Sequence, residues 1–189
     1  MNLPDNSDLN PEISDELIMA RVKNGQLDQL NELFKRFNKR IYNYFLKSTL
    51  EKSDSDDLTQ ELFIRVMKYR KSYKEGQAVQ FWIFQIARNM LKDHFRKMKV
   101  HRDQFNPVEV MPESVDESLE EEWEKEKALY RAMNALPDDK RELLVMSKFE
   151  GLKYEQIAAL RETSVSNIKV QVHRTIKELR DLYFEKTEE

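Results

Sequence analysis

The chain has 189 residues with three glycines, five prolines and no cysteine, a length that suits one medium domain or two small ones. So few turn residues disfavour strand-and-turn architectures, and the absence of cysteine excludes disulfides and thiolate metal sites. A net charge of −3 argues against nucleic-acid binding only on average, because the charge is sorted into blocks.

Residues 1–16 carry Asp5, Asp8, Glu12, Asp15 and Glu16 with no base. Residues 88–102 carry Arg88, Lys92, Arg96, Lys97, Lys99 and Arg102 against Asp93 alone. Residues 113–126 return to acid, with eight carboxylates against Lys125. Segregation of this kind means that different segments meet different partners. No basic-then-apolar leader and no apolar run of about twenty residues occurs, so neither a signal peptide nor a membrane span is expected and the location expected is cytoplasmic.

From Asp15 onward, Leu17, Ile18, Val22, Leu27, Leu30, Leu33, Phe34, Phe37, Ile41, Tyr44 and Phe45 recur at helical spacing, predicting two or three helices broken near Asn24-Gly25. Ser53 to Asp57 reads as a polar helix start. It leads into a stripe of Leu58, Leu62, Val66, Tyr69 and Tyr73 that closes at Gly76. A further helix is predicted from about Val79 to Met98. These elements make a first domain over 15–100. Residues 101–119, with Asn106-Pro107, Met111-Pro112 and their acids, read as a flexible acidic linker. A second domain over 120–185 begins with a helix carrying Trp123, Leu129, Ala132, Met133 and Leu136. It restarts at Pro137-Asp138-Asp139, where proline suits the first turn and acids suit the dipole. The fold class expected is all-α: two small helical bundles joined by an acidic tether.

Tyr154 to Leu160 forms a short amphipathic helix. Arg161-Glu162-Thr163 follows, and Ser164 stands where it can cap the next helix. In that last helix Val165, Ile168, Val172, Ile176 and Leu179 recur at three and four. At about 100° per residue Asn167, Val170, Gln171 and Arg174 take the opposite face. This is the helix-turn-helix plan, whose second helix enters a major groove. Gln171 and Asn167 suit adenine, Arg174 suits guanine or phosphate, and Lys169, Lys177 and Arg180 suit the backbone. An ordinary helical hairpin with a solvated face is the competing reading. Glu162 stands where such turns usually carry glycine, and a non-glycine at positive φ costs about 1 kcal/mol.

Asp57, Gln60 and Glu61 lie off the apolar stripe of their helix. A solvated acidic N-terminus, a carboxylate or metal site, and a docking patch for a basic partner all fit them. With no His or Cys nearby in the sequence, catalysis has little to work with. In the helix from Phe81, the residues Phe84, Ala87, Leu91 and Phe95 should be buried. Trp82, Arg88, Asn89, Lys92 and Arg96 are harder to place inside, and aromatics interleaved with cations suit single-stranded DNA. His94 and His101 read as surface residues with no ligand partners. No cofactor and no metal are expected.

The run Asp56-Asp57-Leu58-Thr59-Gln60-Glu61-Leu62-Phe63, followed by Phe81 through Asn89 and Asp93, resembles the second conserved region of sigma-70 family factors. Leu136-Pro137, Phe149 through Ala158 and Val165 through Arg174 resemble the fourth. The absence of a third region is similar to the extracytoplasmic-function (ECF) group. The resemblance implies a non-enzymatic transcription initiation factor that binds core RNA polymerase and directs promoter recognition and melting. It places Asp57, Gln60 and Glu61 against the clamp helices of the largest subunit. Trp82, Arg88, Asn89, Lys92 and Arg96 then fall on the minus-ten element, with the Tyr73 to Gln80 loop near a flipped base. Ser164, Asn167, Lys169, Val170, Gln171 and Arg174 fall on the minus-thirty-five element, and the hydrophobic parts of the second domain meet the polymerase flap. An anti-sigma factor is a common partner in the group. Glu162, Asn167 and Gln171 depart from residues common in the family, so base preference cannot be copied from a relative.

A two-domain regulator binding duplex DNA as a symmetric dimer would explain the second domain but leave the aromatic-basic helix and the acidic patch without purpose. A helical scaffold without a nucleic-acid role would show no salt-dependent DNA affinity at all.

Overall fold

The computed structural model describes residues 13–102 and 120–185, with the backbone alone for 100–102 and 120–124. Every regular element among them is helical. In chain order they are α1 (Asp15–Lys23), a 3-10 turn (Leu27–Gln29), α2 (Leu30–Thr49), α3 (Lys52–Tyr69), a 3-10 turn (Arg70–Ser72) and α4 (Val79–Arg102). Then come α5 (Glu120–Ala135), α6 (Asp138–Leu144), a π-helical turn (Val145–Phe149), α7 (Tyr154–Leu160) and α8 (Val165–Glu185). The acidic tether expected at 101–119 falls outside the described residues, except that α4 carries helix through Arg102.

Ser14 caps α1, its Oγ accepting from Leu17 N at 3.3 Å. Gly25 at φ 100° turns the chain toward α2. Helix α2 is the spine of the first domain: Leu33, Phe37, Ile41, Tyr44 and Phe45 are all buried along one side. Its C-cap is Leu50 at φ 62°, a strained position for a side chain with a Cβ. Thr49 Oγ1 lies 3.0 Å from Ser55 Oγ, and Thr59 Oγ1 donates to the Ser55 carbonyl at 2.6 Å, so a buried hydroxyl chain seals the α2–α3 corner.

Helix α3 buries Leu62, Phe63 and Val66 as its periodicity demands. The predicted stripe does not extend to Tyr69, which is 45% exposed because the helix ends there. Tyr73, beyond the turn, is buried and donates its hydroxyl to the Gln77 carbonyl at 2.5 Å. Leu62→Ala should cost about 2–5 kcal/mol, since Leu62 is fully enclosed and its loss leaves a cavity; urea unfolding followed by circular dichroism checks this.

The second domain is organised by a residue that periodicity does not predict. Arg141 is only 2% exposed. It donates to the Met133 and Leu136 carbonyls at 3.3 and 3.2 Å, to Asp138 Oδ1 at 2.5 Å and to the Ser48 carbonyl at 2.7 Å. A buried guanidinium is tolerable only with such a full set of acceptors, and here it closes the end of α5, the start of α6 and the end of α2 together. On α8 the buried stripe is Ile168, Val172 and Thr175, with Val165 and Leu179 packed at its ends. Thr175 thus takes the inward place predicted for Ile176, which is 38% exposed. The Thr175 hydroxyl goes inside because it donates to the Gln171 carbonyl at 2.8 Å.

Candidate nucleic-acid and protein interfaces

Three surfaces carry the candidate residues. On α3, Asp57 and Gln60 are exposed and Glu61 is half-buried, held by Arg65 one turn on at 2.8 Å. A rotation of 100° per residue sets Asp57, Gln60 and Glu61 on one side of the helix, away from Leu62 and Val66. Exposed carboxylates of this kind offer charge without a pocket. Among the described residues no three His, Asp or Glu side chains converge as metal ligands. The sequence distance of His94 from this helix is misleading, because His94 Nε2 lies 3.3 Å from Asp54 Oδ2 and its ring packs on Phe95. His94 is therefore an interhelical partner rather than a surface residue; the His101 side chain is outside the described residues.

On α4, Phe84, Ala87 and Leu91 are buried and Phe95 packs against the core. Trp82 was expected to be hard to bury, yet it is 5% exposed, stacked edge-on against Tyr73 with centroids 5.6 Å apart. The first turns of α4 bury a wide arc because the Tyr73 loop folds over them. Asn89, Lys92 and Arg96 are exposed, and Arg96 pairs with Asp93 at 3.0 Å. Arg88 shares their side of the helix but is covered by the second domain.

On α8, Ser164 Oγ accepts from Asn167 N at 3.1 Å and so caps the helix, as its position implied. Asn167 Nδ2 donates to Thr163 Oγ1 at 2.9 Å. Lys169, Val170 and Arg174 are exposed and Gln171 half-buried, forming an outward stripe opposite Ile168 and Val172. Helices α7 and α8 meet through a turn in which Glu162 has φ 53°. The turn is built as a glycine turn and Glu162 carries the strain. Glu162→Gly should stabilise the fold by about 1 kcal/mol, or about 2–4 °C in Tm; calorimetry of the two proteins measures it.

The two domains also meet each other, through contacts between residues far apart in sequence. Tyr44 donates to Glu142 Oε1 at 3.1 Å. Arg88 Nη1 donates to the Leu160 carbonyl at 2.7 Å, with Arg88 Nε 3.5 Å from Glu142 Oε1. Arg40 binds Glu150 Oε2 at 3.0 Å and its carbonyl. Tyr130 donates to the Leu50 carbonyl at 2.9 Å. Burial pushes the Glu142 carboxyl up from the ordinary carboxylate range, with Arg88 and Arg161 pulling against it. Desolvation also raises the Tyr44 phenol, and the Glu142 charge adds to it. Glu150 is raised by burial too, opposed by Arg40. A cleft of about 530 Å³ lined by Arg36, Lys39, Arg40, Asn43, Lys47 and Phe149 opens beside this junction.

Residues 33–100 match the family model for Sigma-70 region 2, and residues 126–179 match that for Sigma-70, region 4. The RNA polymerase sigma factor CarQ of Myxococcus xanthus is 30% identical over 170 residues, covering 87% of this chain and 94% of CarQ. The ECF RNA polymerase sigma factor SigM of Bacillus subtilis is 28% identical, covering 82% and 94%. Among solved structures, CnrH in complex with the cytosolic domain of CnrY superposes with TM-score 0.67 at 16% identity, over 89% of this chain and 96% of that one. RpoE of Bartonella quintana in complex with the anti-sigma factor NepR gives 0.66 at 20%, over 80% and 94%. These likenesses support the all-helical fold; no described helix is long and apolar enough to cross a membrane.

Proposed function

From the premise that the chain belongs to the sigma-70 family of RNA polymerase sigma factors, in its ECF group, we propose a division of labour among its three surfaces. The protein is a sigma factor: it binds core RNA polymerase and directs promoter recognition and melting for transcription initiation. The acidic side of α3, through Asp57, Gln60 and Glu61, docks on the clamp helices of the largest subunit. The outer side of α4, through Arg88, Asn89, Lys92 and Arg96, holds the melted minus-ten strand, with cations tracking phosphates and Trp82 joining them once the Tyr73 loop moves. The outward stripe of α8, Ser164, Asn167, Lys169, Val170, Gln171 and Arg174, reads the minus-thirty-five element in the major groove. Hydrophobic parts of the second domain meet the flap, and the protein works by binding energy without covalent chemistry of its own, within the cytoplasm.

The observation that carries this reading is the pairing, in one chain, of an exposed basic helix flank in the first domain with a capped, outward-polar second helix in the second. One protein thereby offers a surface for single strands and another for duplex. In vitro transcription with core polymerase and start-site mapping tests it. Start sites that appear only when the factor is added are expected; a transcript pattern identical to that of core polymerase alone would sink the reading.

A further inference from the structure

Resting on that reading of α4 and the Tyr73 loop, we propose that α1 is a positioning element for the minus-ten strand. Glu16 and Lys23 hold the loop over residues 73–78 where it meets an unpaired base. This loop joins the 3-10 turn Arg70–Ser72 to α4. Its apex is a turn in which Gln77 N donates to the Lys74 carbonyl at 3.2 Å, with Gly76 at φ 84° and open space where a Cβ would stand. Lys74, Glu75, Gly76 and Ala78 are exposed, while Tyr73 and Val79 at the two ends are buried. Buried ends with an exposed apex present the loop to a partner without tying its middle to the core. Trp82 lies against the loop, stacked on Tyr73, so where the loop rests also decides how a strand reaches Trp82.

Helix α4 starts without a cap of its own. Ala78, whose carbonyl accepts from Trp82 N at 3.2 Å, has no side-chain acceptor, and no acid stands in the first turn. The first amides of a helix need acceptors and favour negative charge. Glu16 supplies both from 63 residues away, its Oε1 accepting from Val79 N at 3.3 Å. Lys23 follows on the same face of α1, about two turns on, and its Nζ lies 3.5 Å from Glu75 Oε1 at the apex. One face of α1 thus meets the loop at its apex and at its exit, and α1 also packs on the 3-10 turn before it. Burial raises the Tyr73 phenol, and the Glu16 and Glu75 charges add to it, so both carboxylates lie near the buried entry of the loop. A cap needed for stability alone is met locally, as Ser164 does for α8. Carrying it on another helix makes the position of the loop depend on α1. The match to Sigma-70 region 2 begins at residue 33, so Glu16 and Lys23 bring into base selection a segment that precedes that region.

Transcription by holoenzyme carrying the full-length factor, on a promoter library randomised at each minus-ten and minus-thirty-five position, reads out a base preference per position. At the minus-ten position that meets the loop, the wild type should favour one base by about 5–150-fold, the worth of one good base contact. Glu16→Ala, at a surface position where truncation opens no cavity, should remove most of that preference. Core polymerase affinity and every minus-thirty-five preference should stay as they were. Glu16→Gln keeps an oxygen for Val79 N and should keep the preference. Lys23→Glu faces Glu75 with a like charge and should lower it in the same direction. That pair is exposed on the Glu75 side and adds little stability, so Lys23→Glu decides alone if Glu16→Ala does not fold. Unchanged minus-ten preferences in the folded variants overturn the inference. Equal loss at all minus-ten and minus-thirty-five positions also overturns it, because a cap that only stabilises the fold gives that result. Selection by the wild type with unaffected variants sinks this inference alone, whereas absence of factor-dependent transcripts from the wild type sinks the underlying reading and the inference with it.

Discussion

Replacing Asp57 and Glu61 together by lysine should abolish assembly with core polymerase and leave the helical circular-dichroism signal unchanged. Both halves of that expectation follow from where the side chains lie. Asp57 is exposed, and Glu61 makes one half-exposed pair with Arg65, a tie worth about 0.3–0.5 kcal/mol within a helix. Neither touches the core formed by Leu62, Phe63 and Val66, so the fold loses little. An interface that places carboxylates against cations behaves otherwise, because two reversals create like-charge contacts costing several kcal/mol. Pull-down of core polymerase with equal amounts of wild type and variant measures the difference, expected to exceed about 100-fold. Near-equal recovery would move the docking surface off α3.

The second large effect concerns DNA. At physiological salt the purified factor should show no appreciable binding to a duplex promoter, and the holoenzyme should bind it tightly. Sequence-independent affinity comes from counterion release by Lys and Arg, and a chain of net charge −3 has a weak field for it outside the α4 flank and α8. Arg88 is moreover engaged by the second domain. Fluorescence anisotropy of a labelled promoter fragment, titrated with factor alone and with holoenzyme across a salt series, gives both affinities and slopes. Tight, salt-tolerant binding by the factor alone would contradict the dependence on polymerase.

What the sequence made legible is what depends on period and local capping. The helix order, the break at Gly25, the Ser164 cap, the outward stripe of α8 and the non-glycine Glu162 in a turn that usually carries glycine are each set by residues within a turn or two of one another. What it hid depends on distance along the chain. Arg40 meets Glu150 across 110 residues and Tyr44 meets Glu142 across 98, and no spacing rule links such pairs. The same applies to Arg141, whose burial follows from four carbonyl and carboxylate acceptors gathered from three helix ends. Trp82 illustrates the remaining failure. Its place on α4 suggested exposure, but the Tyr73 loop, which obeys no period, folds over it. Thr175 and Ile176 changed places for a reason hydropathy scales omit: a hydroxyl bonded to its own helix is acceptable inside.

The outward stripe of α8 has a consequence for how such a protein diverges. Lys169, Val170 and Arg174 are exposed, while the fold depends on Ile168, Val172 and Thr175 on the other side of the same helix. Substitutions at exposed positions of this kind usually change stability by less than about 0.5 kcal/mol, whereas a single altered base contact changes discrimination by about 1–3 kcal/mol. After gene duplication, a copy whose α8 stripe reads DNA as proposed can therefore drift to a new set of promoters through a few changes on one helix face, with its folding untouched and the polymerase surface proposed on α3 of the other domain left as it was.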